Sequence, residues 1–445
     1  MRSTLVRRAL QTAVVGGVVV GSMLSSVLPA HAAGPTHVVA ATGSDTTYNF
    51  MTSYLTGITT SNDGTSNSPY TVQTANIPAF PTASGYSVAG DASCPAIASA
   101  PGYTGTINWV PTGTGPTTTP PVAASGSGAG RSLLLAQRAV GSPAQQVACV
   151  DIARSSSKGA SGESGLEYYG FALDAVGWAS TSLKAPNVLT RAQIKAIYNC
   201  TITDWGAVGG VPGPIQRYLP QNGSGTLATF LSEYLDVSSA GSLPSGQGPA
   251  CPDIKQVDKN GNPFEENQGQ TIADLDIDKA ILPYSGGLWA FQADNSLNPT
   301  LDRRNGARLG GVQTAPTSGS PLVANVERWN GVNVAYELDY VNGSNPNGTV
   351  TDQNTTLVNS SFSKTTGFPG VRFLYNVVDT LNASSYGPAV GLVGFDNTGS
   401  PTFTSPLCNN SQRTTILSFG FAPLTTATSS FNLGGSSCRK FLGAT

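Results

Sequence analysis

The sequence predicts an α/β fold in a chain that is long enough for two lobes or domains. Short apolar runs lead into loops rich in Gly, Ser and Thr, and helical stretches follow these loops. This strand–loop–helix order is typical of α/β proteins. The chain has 445 residues, and 39% of them are hydrophobic, which suits a globular protein with a sizeable core.

The first 33 residues are predicted to be a signal peptide and not part of the fold. Arg7 and Arg8 belong to a basic start, residues 13–20 are apolar, and an Ala-His-Ala tripeptide ending at Ala32 fits a small-x-small cleavage site. We expect cleavage near Ala32 and export of the mature protein, either as an extracellular protein or associated with the cell wall. No later segment resembles a membrane span.

Composition narrows the function classes. Only 11% of residues are charged and the net charge is −2, so neither a nucleic-acid footprint nor a polybasic membrane patch is visible. His37 is the only histidine after the expected cleavage site, and no Cys-x-x-Cys motif occurs. A Ser-His-Asp or Cys-His catalytic set is therefore excluded, and a metal site is disfavoured. We expect no enzyme activity and no cofactor.

Six cysteines in an exported chain predict three disulfides. Six cysteines allow fifteen pairings. Because sequential pairing closes a local loop each time, we expect the pairs Cys94–Cys149, Cys200–Cys251 and Cys408–Cys438.

Three loops follow candidate strands along the first part of the chain. They cover residues 42–47, 125–131 and 154–157, after strand-like or coil stretches, and the first two precede predicted helices over 48–55 and 132–139. Since ligands in α/β sheets bind beyond the carboxyl ends of the strands, these loops are candidates for a common ligand site. Surface turns are the alternative interpretation.

The elements between and after these loops carry weaker functional information. Residues 167–179 are aromatic and β-forming and are predicted to cross between lobes. Thr190 and Gln193 form a capping box that begins a helix. Further predictions are strands over 215–219, 371–378 and 415–421, a helix over 274–281 and a turn over 283–287.

The most informative stretch is Gly223-Ser224-Gly225-Thr226. The residues after it, 227–235, place their large apolar side chains on one helical face, so this stretch is a loop that opens a helix. The amides of a helix's first turn have no partner within the helix, and the Ser224 and Thr226 hydroxyls can point the same way. This arrangement favours an oxyanion. A turn with an N-cap is the alternative.

Together, these loops resemble the substrate-binding proteins of bacterial phosphate ABC import systems, a periplasmic-binding-protein-like family. Gly223-Ser224-Gly225-Thr226 resembles that family's Gly-Ser-Gly-Thr loop, and the 42–44, 126–130 and 151–156 segments are similar to its other ligand loops in the same order. The resemblance implies a type II fold of two lobes, each a mixed sheet flanked by helices, with a ligand cleft between them. It implies lobe 1 over 34–176 and 373–445, and lobe 2 over 177–372.

The same resemblance implies the ligand contacts and the partners. It places at or near the ligand Ser44, Asp45, Thr46, Ser127, Ser155, Ser156, Ser224, Gly225 and Thr226. It implies a small oxyanion as the ligand, phosphate above all, an ABC permease as the partner, and a monomer.

Three positions depart from the family's pattern. Pro220 stands where the family has an arginine, and Ser156 stands where it commonly has a carboxylate. Asp45, in the first loop, is a candidate for the missing proton acceptor, and Arg131 or Arg154 for the missing positive charge.

The family's tethered members carry a lipid-bearing cysteine after the signal, whereas the first cysteine here is Cys94. We therefore expect a released or wall-held protein.

The resulting prediction is a secreted solute-binding protein that captures phosphate or a related oxyanion by hydrogen bonds. Three alternatives stay open at this point: a binder of another solute on the same fold, an extracellular interaction or adhesion protein, and a phosphatase-like enzyme. The scarcity of histidine argues against the enzyme.

Overall fold

A computed structural model describes residues 41–57, 126–137, 150–159, 162–248, 251–313, 370–395, 404–424 and 437–443. The predicted signal peptide and the predicted Cys94–Cys149 disulfide lie outside these ranges. Within them, the strands are β1 Ala41–Gly43, β2 Ile152–Ser155, β3 Leu166–Ser180, β4 Val188–Thr190, β5 Gln216–Arg217, β6 Ala280–Ser285, β7 Arg308–Gln313, β8 Val371–Asp379, β9 Ala422–Pro423 and β10 Arg439–Leu442. The α-helices are α1 Tyr48–Gly57, α2 Ser127–Gln137, α3 Arg191–Tyr198, α4 Gly225–Phe230, α5 Gly286–Asp294, α6 Ala383–Val393 and α7 Arg413–Ser418.

The described strands form one mixed sheet whose main path runs β1-β2-β8-β3-β6-β5. β1 and β2 are parallel, while β8 is antiparallel to both β2 and β3. Because β1 and β2 run in the same direction, the loops that follow them meet at one edge of the sheet. This arrangement brings the first and third predicted loops together.

The long strand β3 connects two halves of the fold. Its first part pairs with β10 and β8, and its second part pairs with β6 and β7. Aromatic and apolar residues fill β3, and all fifteen are buried, which is consistent with a strand covered on both sides. The β-forming character predicted for 167–179 is confirmed, and the crossing between lobes stays a prediction.

Separate hydrophobic clusters cover the two parts of β3. One contains Phe50, Tyr169 and Val390, and another contains Trp178 and Phe230. A third lies against Ala179 near the end of the strand. The predicted α/β fold with two lobes is confirmed, and the lobe boundaries at 176 and 372 stay predictions.

Several local predictions are confirmed. The Thr190 hydroxyl accepts from the Gln193 amide and the Gln193 side chain accepts from the Thr190 amide, which is the expected capping box at the start of α3. The disulfides Cys200–Cys251 and Cys408–Cys438 are present, with Cα atoms 5.5 Å and 4.9 Å apart.

Three local predictions are wrong. The stretch 274–281 has only a short 3-10 turn, and β6 begins at Ala280, where pairing with β3 and β5 outweighs helix propensity. The predicted turn over 283–287 is instead the end of β6 and the first residues of α5. The stretch 415–421 begins within α7, where Ile416 packs into the cluster around Phe50. Burial of that face overrides the β propensity of its Thr and Ile residues.

No helix within the described residues has both the length and the apolar character needed to cross a bilayer.

Candidate functional site

The first loop begins where β1 ends. Gly43 has a φ of 117°, and a Cβ at this position would lie 2.3 Å from the backbone oxygen of Arg154, so glycine is required both by the conformation and by the close approach of β2. The Ser44 amide then donates to the same oxygen at 2.9 Å. The turn is therefore fixed against β2, and it directs Ser44 toward the loop that follows that strand.

The second loop is shorter than the sequence predicted. α2 begins at Ser127, so the residues from Ser127 to Arg131 lie in its first turns, where a continuous loop was expected. Gly126 has a φ of 94°, which supplies the sharp entry to the helix. The Gly128 amide donates to the Gly223 oxygen at 2.9 Å, and this bond joins the start of α2 to the Gly-Ser-Gly-Thr loop.

The loops place three buried serines in direct contact, and we call Ser44, Ser127 and Ser156 the hydroxyl cluster. The Ser44 hydroxyl donates to the Ser156 Oγ at 3.1 Å, and the Ser127 and Ser156 Oγ atoms are also 3.1 Å apart. The Ser156 amide donates to the Ser127 Oγ at 2.9 Å. Each of these residues comes from a different predicted loop, so the convergence expected from the sequence is present.

The Gly-Ser-Gly-Thr loop closes over this cluster. Ser224 is the N-cap of α4, and its hydroxyl accepts from the Leu227 amide at 3.0 Å. Gly225 is the first residue of α4, and a Cβ on it would lie 2.3 Å from the Ser156 Oγ and 2.5 Å from the Ser127 Oγ. The backbone of Gly225 therefore lies directly against the hydroxyl cluster, at a distance that a side chain would prevent.

Thr226 connects the Gly-Ser-Gly-Thr loop to the first loop and to a buried carboxyl group. Its hydroxyl lies 3.5 Å from that of Thr46 and donates to Glu266 at 3.3 Å. Arg372 donates through Nη2 to the Thr46 hydroxyl at 3.1 Å. Glu266 and Arg372 were not expected from the sequence, and the sign that was available is a charged residue within an apolar or aromatic stretch, as in Val371-Arg372-Phe373.

Two carboxyl groups near the cluster have raised pKa values. Burial raises the pKa of Glu266, which is fully buried, and the nearby Asp45 raises it further, while a hydrogen bond from Ser224 and the charge of Arg372 lower it. Burial also raises the pKa of Asp45, against the opposing charges of Arg303 and Arg154. Such groups favour the protonated form, or a ligand that brings a proton.

The two arginines expected to supply positive charge are held by the protein itself. Arg131 donates to Glu163 through Nε at 2.7 Å and to the Ser155 hydroxyl through Nη1 at 2.7 Å. Arg154 donates to backbone oxygens of β1 and its loop, at 3.1 Å to Ser44 and 3.1 Å to Ala41. Both arginines therefore stabilise the loops through hydrogen bonds within the protein.

The Ser155 hydroxyl accepts from Arg131 and donates to the Ser157 oxygen, so it is engaged with groups outside the hydroxyl cluster. Among the residues that the structure describes, no group of three or more His, Cys, Asp or Glu side chains is arranged to hold a metal ion. The site therefore offers neutral hydroxyl and amide donors, two carboxyls that favour protons, and the Arg372 guanidinium.

Glycine- and hydroxyl-rich loops meet over the strand ends of a mixed α/β sheet, where ligands bind in α/β folds. Residues 30–327 match the family model described as the PBP superfamily domain. The chain therefore belongs to the PBP superfamily, the periplasmic-binding-protein-like class. This confirms the class that the sequence resembles.

The chain is also similar to solved structures, among them an ABC-type phosphate transport receptor from Vibrio cholerae, at 14% identity and a TM-score of 0.39, covering 86% of this chain and 99% of that one. PstS from Borrelia burgdorferi has 14% identity and a TM-score of 0.34, covering 88% and 100%. A phosphate-binding protein from Stenotrophomonas maltophilia has 16% identity and a TM-score of 0.37, covering 78% and 91%. No curated protein matches the chain.

Proposed function

We propose that this protein captures inorganic phosphate outside the cytoplasm and delivers it, as a monomer, to an ABC permease. The observation that carries the proposal is the hydroxyl cluster: three buried serine hydroxyls lie 3.1 Å from one another along Ser44–Ser156–Ser127, with the backbone of Gly225 against them. Hydroxyl groups can rotate to donate to an oxyanion that replaces their mutual bonds.

The carboxyl groups favour a protonated oxyanion over a fully ionised one. Asp45 and Glu266 lie in a desolvated environment where a second negative charge costs free energy, as their raised pKa values indicate. Monohydrogen or dihydrogen phosphate can donate a proton to such a carboxylate, whereas sulfate cannot and would be repelled. The proposal therefore assigns Asp45 as the proton acceptor, with Glu266 behind Thr226 as the second candidate.

The remaining predicted residues keep their proposed roles in this site. Thr46, Ser224 and Thr226 supply hydroxyl groups, and Arg131 and Arg154 act on the ligand through the loops that they bind. Hydrogen bonds of charged groups contribute roughly 1.5–3 kcal/mol each, so a few direct donors suffice for tight binding.

Thermal unfolding of the mature chain tests the proposal. The protein is first unfolded, dialysed and refolded to remove carried ligand, then heated with phosphate, with sulfate, or with no added anion. Phosphate at about a hundred times its dissociation constant stabilises the native state by roughly 2.7 kcal/mol, which raises Tm by several degrees. Equal behaviour in all three samples would refute phosphate capture and favour another solute or an interaction module.

The Asp45→Asn variant tests the basis of selectivity. The amide oxygen still accepts a hydrogen bond from a phosphate hydroxyl, but without the negative charge this bond is weaker, and sulfate is no longer repelled. We expect the ratio of phosphate to sulfate affinity to fall by about tenfold or more, equivalent to roughly 1.4 kcal/mol. An unchanged ratio would show that Asp45 is not the acceptor.

A further inference from the structure

Arg372 is a buried cation that contacts the first loop from a strand far along the chain. It is on β8 directly opposite Asp174 on β3, and the two side chains are 5% and 0% exposed. Its Nε and Nη2 donate to the Asp174 Oδ2 at 3.0 Å and 2.8 Å, and Nη2 also donates to the Thr46 hydroxyl at 3.1 Å. The guanidinium is thus connected directly to the first loop.

Asp174 holds this guanidinium in a fixed orientation. Its other oxygen, Oδ1, accepts from the Ser285 hydroxyl at 2.8 Å and from the Gly287 amide at 3.1 Å. Both carboxylate oxygens are therefore engaged, and the planar guanidinium cannot rotate without breaking two bonds to Oδ2. This anchoring presents the remaining nitrogen, Nη1, in one direction.

Nη1 is buried and has no hydrogen-bond partner among the residues that the structure describes. A buried, charged donor without an acceptor is costly, and native proteins seldom leave one. Arg372 and Ser156 line the same cavity, of about 330 Å³, together with Ser232 and the rings of Phe373 and Tyr375. Nη1 has almost no accessible surface and Ser156 is fully buried, so the unused donor lies in the protein interior, as the hydroxyl cluster does.

We propose that Arg372 supplies the positive charge of the oxyanion site and that its Nη1 donates directly to the bound oxyanion. This inference rests on the proposed function. It answers the departure at Pro220: the cation comes from β8, far along the chain, and not from the residues just before Gly-Ser-Gly-Thr. Asp174 is then a positioning residue, which keeps Nη1 free by occupying the other donors.

The other arginines near the site fit this role less well. Arg131 and Arg154 direct their donors at Glu163, Ser155 and backbone oxygens. Arg303 acts on Asp45 electrostatically, but it lines a different cavity, beside Tyr48 and Phe419. Of these four, Arg372 alone combines a bond to the Thr46 hydroxyl with a buried nitrogen that has no hydrogen-bond partner among the described residues.

Calorimetric titration with inorganic phosphate tests the inference on three refolded, ligand-free proteins. The test variant, Asp174→Asn with Arg372→Gln, neutralises both partners so that no carboxylate is left buried and unpaired. The control variant, Lys184→Gln with Asp278→Asn, removes an exposed ion pair of 3.2 Å that has no contact with the site loops. We expect affinity to fall by about tenfold to a hundredfold in the test variant and to stay unchanged in the control.

A second variant keeps the inference testable if the first does not fold. Arg372→Lys retains an ion pair with Asp174 but removes the planar group that carries Nη1, so phosphate affinity is again expected to fall by about tenfold. Phosphate binding to the wild type together with unchanged affinity in either folded Arg372 variant would overturn the role of Arg372 and leave the proposed function standing. Absence of phosphate binding to the wild type would overturn both.

Discussion

The contact between Gly225 and the hydroxyl cluster gives the sharpest test of where the ligand binds. Gly225→Ala adds one methyl group at the first position of α4, where alanine is compatible with the helical backbone. Its Cβ would lie 2.3 Å from the Ser156 Oγ, 2.5 Å from the Ser127 Oγ and 3.0 Å from the backbone carbon of Ser156. Ordinary van der Waals contact needs more than 3.4 Å, so both hydroxyls must move away.

The expected effects on stability and on binding have different causes. Overpacking costs about 1–3 kcal/mol, and alanine recovers up to about 1 kcal/mol over glycine in a helix, so the free energy of unfolding falls by no more than about 3 kcal/mol. Binding is weakened because the methyl group displaces two hydroxyl donors and blocks the approach to the backbone. The loss of two bonds to a charged ligand predicts an affinity decrease of about a hundredfold or more.

Calorimetric titration with phosphate measures the affinity, and urea unfolding without phosphate measures the stability. Gly241→Ala is the matched control, because its Cβ would meet only the exposed Ser239 hydroxyl oxygen, at an ordinary contact distance of 3.8 Å. Adding Ser156→Ala to Gly225→Ala removes one of the two clashing hydroxyls and is expected to restore part of the lost stability without restoring binding. Wild-type affinity in the folded Gly225→Ala protein would refute the location of the site.

Two further predictions concern stability. The raised pKa of Glu266 means that its folded state holds a proton at pH values where the unfolded chain has lost it, so stability falls as pH rises above the ordinary value. Glu266→Gln is expected to stabilise the phosphate-free protein at neutral pH, by about 1.4 kcal/mol for each pH unit by which the pKa is raised. Near pH 4 the substitution is expected to have little effect. Urea unfolding at both pH values measures the difference, and a destabilised variant at neutral pH would contradict the prediction. Replacing Cys200 and Cys251 by serine removes a disulfide that spans 51 residues. Chain entropy predicts that the free energy of unfolding then falls by about 4 kcal/mol. A decrease of less than about 1 kcal/mol in urea unfolding, roughly a quarter of the predicted value, would contradict this prediction.

The sequence was informative where local patterns fix local structure. The Thr190–Gln193 capping box and the aromatic strand around residues 167–179 both formed as expected, because each depends on neighbouring residues or on a continuous apolar run. The first loop was also located correctly, since Gly43 has a conformation that other residues rarely adopt.

Long-range pairing explains what the sequence did not reveal. Arg372 reaches Asp174 and Thr46 through the register of β8 against β3, across 198 and 326 residues of chain. The one local sign, a charged residue within the apolar stretch Val371-Arg372-Phe373, does not identify which distant residues this arginine contacts. Glu266 reaches Thr226 in the same indirect way, through the stretch that leads into β6.

The boundaries of secondary structure failed for a related reason. Residues 415–421 have β-forming side chains, yet they belong in part to α7 because burial of Ile416 decides the conformation. The start of α2 at Ser127 instead of beyond Arg131 places the second loop's hydroxyl in the first turn of a helix. In both cases packing against distant residues outweighs local propensity.

The central claim is that the hydroxyl cluster receives a protonated oxyanion, and a crystal structure of the refolded protein with phosphate as the only oxyanion tests it most directly. The account predicts one tetrahedral ligand that accepts from Ser44, Ser127 and Ser156, with the backbone of Gly225 beside it and the serines no longer bonded to one another. A ligand bound elsewhere, or serine hydroxyls that keep their mutual bonds at saturating phosphate, would contradict it.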